Sequence, residues 1–124
     1  MKTALELHLA HQEFLVELQE MDLKLSDLAA KMAEAYTTIT EPEKEGLDGY
    51  WERMLSLDRL VHNIQDRIRY CEKHVSRLLA GDFDADILFL FRPEEDYRGE
   101  LQELTQKIAL LVSEWNNTRL AILN

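Results

Sequence analysis

The chain has 124 residues, 46% of them hydrophobic and 31% charged, with four Gly, two Pro and one Cys. That composition excludes intrinsic disorder, a disulfide framework and a loop-rich β architecture, and it suits a single helical domain over residues 1–124. A net charge of −10 opposes binding to nucleic acid or to an anionic membrane, because phosphates are repelled.

The first predicted element spans residues 3–36. Ala4, His11, Leu18, Leu25, Met32 and Ile39 form one seven-residue series, and Leu7, Phe14, Met21, Leu28 and Ala35 the other. Steps that alternate between three and four residues are the seam of a helix that packs on another helix. The start carries Glu6 and His8 where a signal peptide needs an apolar run, and no stretch reaches the roughly 20 apolar residues of a spanning helix. The single cysteine, Cys71, fits a reducing compartment, so the expected location is cytoplasmic.

At Thr37-Thr38-Ile39-Thr40-Glu41-Pro42-Glu43 the repeat stops. Consecutive β-branched residues weaken a helix, Thr40 with Glu43 is a capping-box pattern, and Pro42 fits a first helical turn. A turn and a second helix over 41–80 follow. Leu47, Met54, Val61, Ile68 and Val75 make one series of that helix, and Tyr50, Leu57, Ile64, Cys71 and Leu78 the other. Gly46 and Gly49 weaken its first turns and allow a later start, whereas Gly81 supplies a C-terminal cap. A third helix over 93–122 repeats the spacing through Tyr97, Leu101, Leu104, Ile108, Leu111, Trp115, Thr118 and Ile122.

A short link makes antiparallel packing the default for the first two helices. In that hairpin, facing residues have numbers that add up to 82, from Ala4 with Leu78, through His11 with Cys71 and Leu18 with Ile64, to Ala35 with Leu47. The midpoint, residue 41, falls inside the independently predicted turn. The same register lays the acids Glu6, Glu13, Glu17, Glu20 and Asp22 beside the bases Arg59, Arg67, Arg69, Lys73 and Arg77. The expected fold is therefore all-α: an antiparallel long-helix hairpin plus a third helix, forming a coiled-coil-like three-helix bundle.

Three features remain as candidates for function. Leu9, Val16, Leu23 and Ala30 form a second apolar stripe opposite the seam of the first helix. The linker holds the apolar run Ile87, Leu88, Phe89, Leu90 and Phe91, expected as a short helix capped by Asp84. Both suit a protein partner or a homo-oligomer, a dimer above all, since apolar patches seldom stay bare. The third candidate is a metal site. The register gathers His8, His11, Cys71 and His74 at the open end of the hairpin, a donor set suited to zinc or another borderline transition metal. Its plainer counterpart is a hydrogen-bonded core His11 beside Cys71 as a small apolar residue.

Two acidic patterns are weaker matches. Asp82, Asp84 and Asp86 occupy the first three ligand positions of an EF-hand loop, but the glycine and the final glutamate are Ile87 and Pro93. Glu17-x-x-Glu20 with Glu45-x-x-Asp48 resembles the paired acidic motif of all-α nucleoside triphosphate pyrophosphohydrolases, which would imply Mg²⁺ held between helices. The resemblance covers four residues, and the register sets Glu17 and Glu20 opposite residues 65 and 62, away from Glu45. With no catalytic constellation in view, the expected role is a non-catalytic interaction or assembly module of adaptor, chaperone or inhibitor type. A metal-binding helical protein is the alternative.

Overall fold

A computed structural model describes residues 4–81 and 94–118, the side chains of 94–96 excepted. Among the described residues all regular structure is helical: α1 (Ala4–Tyr36), α2 (Glu41–Leu79) and α3 (Glu94–Asn116). None of these helices is long and apolar enough to cross a membrane.

The turn between α1 and α2 forms as its residues dictate. The hydroxyls of Thr37 and Thr38 bond back to the carbonyls of Glu34 and Ala35, at 2.8 and 3.0 Å, and close the last turn of α1. Thr40 then opens α2, with its N–H donating to the Glu43 carboxylate at 3.3 Å and Pro42 in the first turn. Gly46 and Gly49 do not delay the helix, which begins at Glu41. The buried Leu47 anchors its first turns and offsets the roughly 1 kcal/mol that each helical glycine costs. At the far end Gly81 takes φ +94°, the left-handed geometry of a helix stop, and its N–H donates to the Leu78 carbonyl.

The expected seams are the observed core. His11, Leu18, Leu25 and Met32 of one series, and Leu7, Phe14, Met21, Leu28 and Ala35 of the other, are all buried on α1. On α2 both series are buried apart from Tyr50 and Leu78, which are half-buried. Tyr97, Leu101, Leu104, Ile108, Leu111 and Trp115 of α3 complete one shared core, and each helix packs on the other two. Burying each such side chain stabilises the fold by about 1.5–3 kcal/mol, far more than the exposed ion pairs around it.

Side-chain contacts fix the relative directions. Between α1 and α2 the pairs His8–Glu72, His11–Glu72 and Asp22–His62 fall within two residues of the expected register. Arg53 with Glu114, Arg67 with Glu100, and Cys71 with Tyr97 define an antiparallel register of α2 against α3. It follows that α1 and α3 run parallel, and the tilted stacking of Phe14 on Tyr97 near their N-termini agrees.

Two expectations need correction. Helix α3 stops at Asn116 and not near residue 122, because the N–H and the hydroxyl of Thr118 both bond to the Trp115 carbonyl and turn the chain. Within the basic stretch of α2, Arg67 turns to α3 and not to α1: it gives its guanidinium to Glu100 at 2.9 Å. Residues 82–93, including Ile87, Leu88, Phe89 and Phe91 of the expected short helix and the Asp82–Asp84–Asp86 pattern, lie outside the described residues.

Candidate functional site

Position within the α1 heptad decides which face each residue meets. Leu9, Val16 and Leu23 sit half a turn away from the seam that faces α2 and α3. They are 55%, 60% and 60% exposed, and Ala30 is exposed as well. Among the described residues, helix α3 does not cover this stripe but lies elsewhere on the hairpin.

The stripe is wider than one column. Leu5 is 56% exposed, and Gln12, Gln19, Ser26 and Ala33 continue its column at seven-residue steps, all of them exposed. Together the two columns make a second, uncharged seam along nearly the whole of α1, with steps alternating three and four. One flank of that seam carries an acid in every heptad: Glu6, Glu13, Glu20, Asp27 and Glu34, each exposed. The opposite flank carries His8, Leu15, Asp22 and Ala29, of which His8 and Asp22 face α2. Counting apolar residues alone misses this pattern, because Gln12, Gln19 and Ser26 are polar; the signal was the absence of charge.

At its C-terminal end the seam meets a cleft between α1 and α2 lined by Met32, Ala33, Tyr36, Leu47, Asp48 and Trp51. Trp51 is partly exposed there, whereas Trp115 is a core residue with its ring edge-on to Tyr50. Lys44 lies 4.8 Å from the Tyr36 ring centroid, a cation–π contact at the rim.

The histidine-bearing end has a different organisation from a ligand cage. Glu72 of α2 reaches between two turns of α1: its Oε1 lies 2.7 Å from His8 Nδ1 and its Oε2 lies 3.2 Å from His11 Nδ1. An ionised carboxylate only accepts, so both imidazoles donate from Nδ1. His11 is buried and stands edge-on to the Tyr97 ring. Cys71 Sγ lies 3.7 Å from the Tyr97 hydroxyl, whose pKa is pushed up by burial and then by its bond to Cys71. His74 turns to Tyr70 instead, with ring centroids 5.0 Å apart, and both its ring nitrogens are buried without a hydrogen-bond partner.

Thus His8 and His11 share Glu72, Cys71 faces α3, and His74 points elsewhere. The four do not bring their ligand atoms together. The partner that sequence reasoning missed is Glu72, which lies one residue beyond the layer of His11 and Cys71 and reaches inward from the flank.

Among the described residues, one group of three offers ligand atoms within 4.8 Å of one another: Asp22, Asp58 and His62. It sits on the surface, where His62 Nδ1 already donates to the Asp58 carbonyl at 2.8 Å. Glu17, Glu20, Glu45 and Asp48 are separately exposed and form no such group. Comparison of the chain with protein-family models, with curated proteins and with solved structures finds no match.

Proposed function

We propose that this chain is a non-catalytic protein–protein interaction or assembly module, of adaptor, chaperone or inhibitor type, that works through the outer face of α1. One observation carries the reading: Leu9, Val16 and Leu23 stand 55–60% exposed in line on a helix whose opposite face already holds the core. Scattered exposed apolar residues are ordinary, but a continuous uncharged seam on a 33-residue helix matches the face by which one helix docks on another. The cleft at Trp51 extends the same surface past the end of the seam.

The test is site-specific photo-cross-linking in cells. A benzophenone side chain placed at Leu9, Val16 or Leu23 is expected to give discrete higher-mass products. The same group at Arg59 or Leu110, exposed on α2 and α3, is expected to give none. Equal labelling at all five positions, or none at the stripe, defeats the reading.

A further inference from the structure

We infer that the occupant of the outer α1 seam is an amphipathic helix of another protein with a row of Lys or Arg along one edge; the inference rests on the interaction reading above and names its partner's chemistry. Between Ala4 and Leu23, α1 contains Glu6, Glu13, Glu17, Glu20 and Asp22 and no Lys or Arg. The acids at seven-residue spacing line one edge of the uncharged seam, where a docked helix places its own flanking residues. Among the described residues, Glu13 and Glu20 of that row have no ion pair, and several bases are engaged elsewhere. Arg53 and Arg67 of α2 pair with Glu114 and Glu100 of α3, and Lys107 pairs with Glu103 of its own helix. Arg98 stacks on Phe14, while Lys31 serves Asp27 at 3.2 Å near the other end of α1. Glu13 and Glu20, exposed on either side of Val16 along the row, are therefore the acids left open to a partner among the described residues.

A second copy of the chain fits this edge poorly. Antiparallel pairing of two outer seams sets the acidic row against itself. Parallel pairing sets it against the column of His8, Leu15, Asp22 and Ala29, which holds no Lys or Arg. The linker segment 82–93 is no better matched, since its ionisable residues are three Asp and one Arg. A basic-edged helix meets both demands at once, with apolar side chains for Leu9, Val16 and Leu23 and positive charge for Glu13 and Glu20. Such complementarity sets partner choice more than raw affinity, because like charges across the edge are penalised.

The experiment uses the full chain and two synthetic 28-residue amphipathic helices with the same leucine seam, one edged with Lys and the other with Glu. Binding is read by fluorescence anisotropy at low and high salt. The Lys-edged probe is expected to bind at least tenfold more tightly than the Glu-edged one, with the margin shrinking as salt rises. Glu13→Lys with Glu20→Lys should reverse the preference, and Val16→Glu, checked by circular dichroism for retained helix, should remove binding of both. Equal binding of the two probes, binding of neither, or a preference that survives the charge reversal overturns the inference. Sedimentation of the chain alone as a dimer that Val16→Glu dissociates also overturns it, by assigning the face to a second copy. A stripe-specific cross-linked product alongside equal probe binding rejects the charge inference and leaves the interaction reading standing. Absence of that product defeats the reading beneath it.

Discussion

Glu72 Oε2 lies 3.2 Å from Nδ1 of the buried His11, which ties the last two turns of α2 to the first turns of α1. Because His8 takes the other carboxylate oxygen, one side chain holds two residues a helical turn apart. Replacing Glu72 by Ala strands a buried imidazole donor and is expected to cost about 1–3 kcal/mol in urea unfolding. The double variant Glu72→Ala with His11→Leu should recover part of that loss, since no polar ring is then left unpaired. No recovery would mean that Glu72 acts through His8 alone.

The two faces of α1 should respond in opposite ways to the same truncation. Leu18 is fully buried, so Leu18→Ala is expected to destabilise by about 2–5 kcal/mol. Leu9→Ala and Leu23→Ala, on the outer seam, should stay within about 0.5 kcal/mol of wild type in the isolated protein. Thermal or chemical unfolding of the three variants side by side separates core from docking surface.

Two glycines make an internal comparison. At Gly81 a Cβ meets nothing within 4 Å, yet φ is +94°, so Gly81→Ala is expected to destabilise by about 1 kcal/mol through the backbone alone. Gly99 lies inside α3 with equally open space and no positive φ, so Gly99→Ala should stabilise by about 0.5–1 kcal/mol. Denaturant midpoints with unchanged slopes would register both shifts.

His62 gives a pH-dependent contribution whose sign follows from its surroundings. Its hydrogen bond to the Asp58 carbonyl raises its pKa above the ordinary 6.5; slight burial opposes the rise, and the carboxylates of Asp58, Asp22 and Asp66 add to it. A raised folded-state value means that the stabilisation is complete below the unfolded-state pKa and lost as pH rises through the folded value. The melting-temperature gap between wild type and His62→Gln should therefore be wider near about pH 5.5 than near about pH 8, and small because the ring is half exposed. An NMR titration of the His62 ring at or below 6.5 would contradict this.

Most of the helical framework was legible in the sequence. Heptad series, the Thr40-to-Pro42 restart and Gly81 are local signals, because helix formation and capping depend on residues three to seven positions apart. The register was legible too, because two apolar seams joined by a short turn pair in only one way that buries both. What the sequence could not decide by itself is where a flanking side chain reaches. Glu72 lies off the seam, yet it bridges His8 and His11; Cys71 lies on the seam and opposite His11, yet it faces Tyr97. The first is a matter of side-chain reach across the α1–α2 flank and the second of where α3 sits, long-range contacts that leave no periodic trace. The same placement leaves Leu9, Val16 and Leu23 bare: the sequence determined that the stripe is apolar, and only the packing of α3 on the other side of the hairpin decided that it faces outward.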